Sequence, residues 1–368
     1  MRAFLVLLVV LSGCSSIRLG ESLGSEAEGA PIGPLERAWE RDAQGAFGPS
    51  APYLTDEYVV VGTRRGEVVI LNRLDGRVAG TGSFGESVEG ALAVAPSGVA
   101  IYVPTAEHDG GVTAYDVRNG RQLWRWEGGA TEAGVVRLGG VVVAATLDGR
   151  VVGLDAGSGT PRWEVQPDTT AQYHAAPLSI GTEAVLVADD RGRVTLYEAA
   201  TGDARWTTNL GLPVYERPAT DGSAAFVPTT RGRLVALDLD GGRVRWSHDA
   251  MGNETPRVSA PAAGQGAVAF GRTDGEVVVV DAATGAERWT HSLDANVSAA
   301  PLWMGDLLVV GTLDRHLLGF DAASGTVRWS EELRGRVKSA LASADDILVV
   351  LTEPRHVVAF RPTGLVAR

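Results

Sequence analysis

From about residue 53 onward the chain alternates short apolar runs with polar punctuation, and no stretch keeps the spacing of a long amphipathic helix. Runs such as Gly149-Arg150-Val151-Val152-Gly153-Leu154 have a period of two, the mark of a strand with one covered face. An acid ends such a run and opens a fixed pattern, as in Leu154-Asp155-Ala156-Gly157-Ser158-Gly159-Thr160-Pro161-Arg162-Trp163. The Asp can accept backbone N–H bonds in an Asx-turn, and the Gly four residues on permits positive φ where the chain reverses. A hairpin results, and the Trp falls on its second strand, where a large ring covers apolar surface between adjacent sheets.

The pattern Asp-x-x-x-Gly-x-x-x-Trp stands at Asp116/Gly120/Trp124, Asp155/Gly159/Trp163, Asp238/Gly242/Trp246, Asp281/Gly285/Trp289 and Asp321/Gly325/Trp329. Glu198/Gly202/Trp206 differs only in its acid. Asn72/Gly76/Gly80 is a first copy without its Trp, and Phe360-Arg361-Pro362-Thr363-Gly364 is a last copy that stops before one. A period of about 40 residues outweighs the one or two ordinary domains that chain length alone suggests. Each unit also carries an inner strand starting near a proline, as at Ala176-Pro177 and Ala300-Pro301, and then a short apolar strand. Glycine-bearing hairpins such as Asp190-Arg191-Gly192 and Thr230-Arg231-Gly232 follow. Four strands per unit in eight units predict an all-β, eight-bladed propeller of four-stranded antiparallel blades over residues 36–368. The last unit has three strands, while Glu36-Arg37-Ala38-Trp39-Glu40-Arg41 is a Trp strand without its predecessors. Pairing the two closes the ring and removes exposed sheet edges.

Composition narrows the chemistry. A net charge of −12 argues against a phosphate-backbone partner, so nucleic acid is not expected. Lys338 is the one lysine, and its Val337-Lys338-Ser339 setting matches no Schiff-base or phosphate-loop motif. The six histidines offer no His-x-x-x-His spacing; His248 and His291 share an outer-strand position, and His316 and His356 share a hairpin position. Gly80-Thr81-Gly82-Ser83-Phe84-Gly85 satisfies Gly-x-Gly-x-x-Gly but precedes no helix. The recurring acids read as turn formers rather than calcium ligands. No catalytic residue, metal site or cofactor is expected.

The N-terminus has its own logic. Met1-Arg2 is a short positive start, residues 3–11 are apolar, and Leu11-Ser12-Gly13-Cys14 follows. Cys14 is the sole cysteine, so no internal disulfide can form. Residues 1–13 read as a signal peptide and residues 14–35, with Gly, Ser, Glu and Pro, as a flexible tether. Leu11, Gly13 and Cys14 resemble the box of bacterial lipoprotein signals, which implies cleavage before Cys14 and lipidation of that residue. Ser15 stands where an Asp would imply inner-membrane retention. The resemblance therefore implies a protein lipid-anchored to the outer membrane and facing the periplasm.

The acid-x-x-x-Gly-x-x-x-Trp repeat resembles the quinoprotein-like (PQQ-repeat) eight-bladed propellers. Within that group, a lipobox, a short tether and a bare propeller resemble the BamB-like outer-membrane protein assembly lipoproteins. That resemblance implies a non-catalytic scaffold of the BAM machinery, assisting insertion of β-barrel proteins into the outer membrane. It implies docking on a periplasmic domain of the barrel-inserting subunit through loops into two neighbouring central blades, here residues 210–217 and 251–259. Leu212, Val214 and Tyr215 would form an apolar anchor, with Arg217 and Arg257 as charged neighbours. The family's paired aspartates are not reproduced at Arg257-Val258-Ser259, where Glu254 is the nearest acid. The same repeat carries a rival class, a propeller binding PQQ or another small ligand in a redox or sensory role. Those dehydrogenases commonly carry adjacent cysteines against the quinone, and the only cysteine here is Cys14. Addition of unfolded barrel strands to a blade edge ranks below docking.

Overall fold

The computed structural model describes residues 33–363 apart from 86, 108–109, 250–255 and 345, together with residues 17 and 19. The expectations for residues 1–13, Cys14 and Glu254 lie outside the described residues. The described strands form eight four-stranded antiparallel sheets. In each of the first seven blades the strands pair in sequence order. Blade 1 runs from Tyr53–Leu54 to Val78–Ser83, blade 2 from Ala93–Val94 to Arg121–Trp126, and blade 3 from Val135–Leu138 to Pro161–Val165. Blade 4 runs from Leu178–Ile180 to Ala204–Asn209, blade 5 from Ala219–Thr220 to Val244–Asp249, blade 6 from Ala262–Gly264 to Glu287–Ser292, and blade 7 from Leu302–Met304 to Val327–Glu332. Blade 8 takes Ala342–Ala344, Ile347–Thr352 and His356–Pro362 from the C-terminal end and Leu35–Asp42 from the N-terminal end.

That closing strand pairs antiparallel with His356–Pro362, from Leu35 opposite Pro362 to Asp42 opposite His356. The ring is therefore closed as the orphan Trp strand predicts. Inner strands of successive blades adjoin one another around the axis. Because the blades are antiparallel, hairpins joining first to second and third to fourth strands share one face of the ring, the turn face. Second-to-third hairpins and the inter-blade loops share the other, the loop face.

The repeat explains itself at atomic scale. Asp155 Oδ1 accepts the backbone N–H groups of Gly157 at 3.0 Å and Ser158 at 2.8 Å, and Arg162 donates to Oδ2 at 2.6 Å. Asp281 holds Ala283, Thr284 and Arg288 in the same way. Gly202 has φ of 77°, and a Cβ there would lie 2.6 Å from the Trp163 ring of the preceding blade. Glycine is required twice over at this position, by backbone conformation and by close approach. The Trp163 indole N–H donates to the Ala199 carbonyl at 2.9 Å, and the Trp206 indole to Leu239 at 2.7 Å, so each ring latches the next blade. Beside each latch the pairing of third and fourth strands slips by one residue, as between Gly153 and Leu154, and such bulges increase local twist.

The apolar core lies in the seams between blades and shares no single centre. Ala175, Leu186, Val194, Ala225 and Val235 fill the seam of blades 4 and 5, and Leu54, Val59, Ile347 and Val349 fill that of blades 8 and 1. Ile17 and Leu19, expected within a flexible tether, are instead packed in the seam of blades 1 and 2.

Candidate docking surface on the loop face

The loop at residues 210–217 rests on hairpins of two blades. Leu210 N–H donates to the Gly192 carbonyl at 2.8 Å and Val214 N–H to the Asp189 carbonyl at 3.1 Å, both in blade 4. From blade 5, Thr230 N–H donates to the Pro213 carbonyl at 3.0 Å. The hairpin beneath is rigid, since the fully buried Asp189 carboxylate accepts Arg191 N–H at 3.0 Å, Arg193 N–H at 2.9 Å and Arg193 Nε at 3.1 Å. Arg193 also reaches Asp168 at 3.0 Å.

This anchoring corrects one expectation. Val214 is 0% exposed and belongs to the blade 4–5 seam, so it cannot meet a partner. Its backbone bond to Asp189 turns the side chain inward. Leu212 is half-buried, and Tyr215 is 45% exposed. Tyr215 is therefore the exposed aromatic ring of the loop. Its ring leans on His174, with centroids 5.5 Å apart, and His174 Nδ1 lies 3.0 Å from Glu132 Oε2. Glu132, His174 and Tyr215 come from three successive inter-blade loops, so they form a continuous row along the loop face. The Glu132 bond holds the His174 pKa above its ordinary value, and the same bond holds the Glu132 carboxyl below its own.

Glu216 and Arg217 lead into the inner strand of blade 5. Both keep surface open to water while protein crowds them. That crowding pushes the Glu216 carboxyl up, against a smaller pull from Arg257, and pushes the Arg217 guanidinium down. Among the described residues no acid lies within ion-pair distance of Arg217. Arg257 is exposed, with its backbone N–H bonded to Thr273 Oγ1 at 2.9 Å. Residues 251–255 of its loop lie outside the described residues. The surface offers an aromatic ring, an imidazole bonded to a carboxylate and two arginines, the chemistry of a protein contact.

Sequence reasoning missed Glu132 and His174. Their signal was positional: Glu89, Glu132, His174, Tyr215, Ser298 and Lys338 each stand one residue beyond a buried loop position such as Val88, Thr131, Tyr173, Val214, Val297 or Val337. The remaining histidines sit as their repeat positions imply. His248 and His291 meet Phe270 and Phe320 of the next blades edge-on, at 5.8 and 5.0 Å. His316 pairs with Asp314 at 3.1 Å in its hairpin, and Lys338 pairs with Glu353 at 3.2 Å. Among the described residues no group of histidine, cysteine and acids could hold a metal ion, and no helix is long and apolar enough to cross a membrane. Asp116, Asp155, Asp238, Asp281 and Asp321 all close turns, and Trp124, Trp163, Trp206, Trp246, Trp289 and Trp329 all lie in seams.

The sequence model of the family described as "Outer membrane protein assembly factor BamB" matches residues 36–178, 147–303 and 274–366. The assembly factor BamB of Bordetella pertussis is 25% identical over 261 residues, covering 66% of this chain and 66% of that protein. The serine/threonine-protein kinase AfsK of Streptomyces griseus is 31% identical over 156 residues, covering 39% of this chain and 19% of the kinase. Both matches span less than two thirds of the relative's length. Among solved structures, BamB of Moraxella catarrhalis superposes with a TM-score of 0.75 over 89% of this chain and 99% of that one, at 19% identity.

Proposed function

The chain belongs to the outer membrane protein assembly factor BamB family, and from that premise we propose that it is a non-catalytic scaffold of the β-barrel assembly machinery. On this reading Cys14 carries the lipid, the propeller sits in the periplasm at the outer membrane, and the loop face docks a periplasmic domain of the barrel-inserting subunit. The observation that carries it is the exposed Tyr215 on a loop stapled to rigid hairpins, backed by the half-buried His174 and Glu132, with the exposed Arg217 two residues on; Tyr and Arg are the residue types that dominate interface energetics. Tyr215 supplies apolar area around a polar tip, and Arg217 and Arg257 supply donors for carboxylates on the partner.

The test is a mild-detergent pull-down of the tagged protein from its native membranes, with mass spectrometry of what accompanies it. Recovery of the barrel-inserting subunit, lost in a Tyr215→Ala/Arg217→Ala variant that unfolds at the wild-type temperature, supports function and surface together. Recovery of an unrelated complex removes the assembly role. A quinone retained by the purified protein and visible in its absorbance spectrum moves the assignment to the redox class.

A further inference from the structure

Six seams of the ring are latched by an indole N–H; Trp329 packs edge-on against Phe360 in the seam of blades 7 and 8, and the seam of blades 1 and 2 has no ring at the repeat position at all. Trp39, Trp124, Trp163, Trp206, Trp246 and Trp289 each donate an indole N–H to a turn carbonyl of the next blade, at 2.7–3.0 Å. In blade 1 the residue at the tryptophan position is Gly80, opposite Ile70, so the blade 2 turn at Asp116, Val117 and Gly120 receives no indole from it. That leaves an apolar gap in this seam where the other blades place a tryptophan ring.

The gap is filled from elsewhere in the chain. Ile17 is 6% exposed and Leu19 0%, packed with Val68, Ile70, Ile101, Tyr115 and Val117. The Ile17 Cδ1 atom lies 3.3 Å from where a Cβ on Gly80 would stand. Leu19 N–H donates to the Gly98 carbonyl at 2.6 Å. Gly98 has φ of 65°, and any Cβ there would overlap the Leu19 carbonyl, so this turn of blade 2 admits the segment only because it carries glycine. The same seam holds an apolar cavity of about 20 Å³ lined by Ile70, Phe84, Tyr115 and Val117, too small for a ring.

We propose that Ile17 and Leu19 form an intramolecular plug that replaces the missing tryptophan and fixes where the N-terminal end of the chain leaves the propeller. Gly98 and the Asp116 turn both lie on the turn face, opposite Tyr215. A second consequence rests on the lipoprotein reading above. Three residues of extended chain reach at most about 10 Å, so a lipid on Cys14 holds the turn face of blades 1 and 2 against the membrane. The loop face then points away from the membrane, toward a partner.

Hydrogen exchange and thermal unfolding of the full chain in detergent test the plug. The Leu19 amide is expected to exchange at least about 100-fold more slowly than a free-chain amide. An Ile17→Asp/Leu19→Asp variant is expected to lower the unfolding midpoint by roughly 5 °C, and adding Gly80→Trp to it to restore most of that loss. Gly80→Trp alone is expected to expel the segment and abolish Leu19 protection. Free-chain exchange at Leu19 in the unaltered protein, or a midpoint indifferent to the two aspartates, overturns the plug. The membrane consequence is read separately, with fluorophores on Ser97→Cys at the turn face and Arg231→Cys at the loop face and quencher lipids in vesicles. Quenching confined to residue 97 supports the pinned exit, and equal quenching at both overturns it. Absence of lipid on Cys14 by mass spectrometry refutes the anchor instead, with the plug still decided by exchange.

Discussion

At the scale of single residues, adjacent positions in one loop do opposite jobs. Val214 stabilises the seam of blades 4 and 5, whereas Tyr215 faces solvent against His174. Val214→Ala is expected to cost about 2 kcal/mol of stability through the cavity it leaves. Tyr215→Ala is expected to leave thermal unfolding unchanged and to weaken docking at least about tenfold, as loss of an aromatic hot spot does. Calorimetry and a binding titration on the two variants check the separation. The imidazole adds a pH window. Because the Glu132 bond raises the His174 pKa, its contribution is complete below about 6.5, the ordinary value, and is lost as pH rises through the folded pKa. Glu132, with its pKa lowered, gives up its share as pH falls below the ordinary carboxylate range. An NMR titration is expected to place His174 above 6.5 and to bring it back toward that value in Glu132→Gln. The sequence alone assigned Val214 and Tyr215 the same role, because both are apolar members of one short loop without period-two alternation. Only the backbone bond from Val214 to Asp189 separates them.

At the scale of the element, the repeat motif is a machine part with three interlocking pieces: acid, glycine and tryptophan. Trp163→Ala removes a 9%-exposed ring together with its bond to Ala199, and is expected to cost about 3–5 kcal/mol. Trp329 is only half-buried and meets Phe360 edge-on at 5.5 Å, so Trp329→Ala is expected to cost less, a ranking that denaturant unfolding of both variants checks. The acids add an acid-sensitive component. Arg162 and the Ser158 backbone lower the Asp155 pKa to about 2, and Arg288 and Thr284 do the same for Asp281. Groups with depressed pKa stabilise the fold above their ordinary value, so this contribution is expected to disappear as pH falls from about 4 toward 2. This level was the most legible in the sequence, because hairpin chemistry and strand alternation are local. The plug at Ile17 and Leu19 was not legible. Two apolar side chains in a polar stretch carry no periodicity, and their meaning comes from Gly80 and Gly98, which are distant along the chain. The missing tryptophan at Gly80 was visible, but what fills its seat was a question for three dimensions.

At the scale of the whole molecule, stability depends on closure, because there is no central core to fall back on. Every seam is shared by two blades, so one open joint leaves two sheet faces without a partner. The joint that matters is the one made by Leu35–Asp42, which completes blade 8 and carries Trp39 onto blade 1, where its indole bonds the Arg73 carbonyl at 3.0 Å. Across the same joint, Ser339 Oγ donates to the Gly48 carbonyl at 2.5 Å and Ala340 N–H to the Pro49 carbonyl at 2.8 Å. Deleting residues 36–45 removes the Trp39 ring, worth about 3–5 kcal/mol by itself, and bares the ladder of His356–Pro362. A bared strand edge also invites pairing with another chain. The deletion is therefore expected to lower the unfolding midpoint by more than about 10 °C, to broaden the transition as blades lose cooperativity, and to produce concentration-dependent oligomers. Trp39→Ala, which weakens the latch but keeps the strand, is expected to lower the midpoint less and to leave the protein monomeric. Calorimetry with sedimentation of both variants separates ring closure from ring packing. A deletion that unfolds at the wild-type temperature as a monomer would mean that the seams hold the propeller without the closing strand.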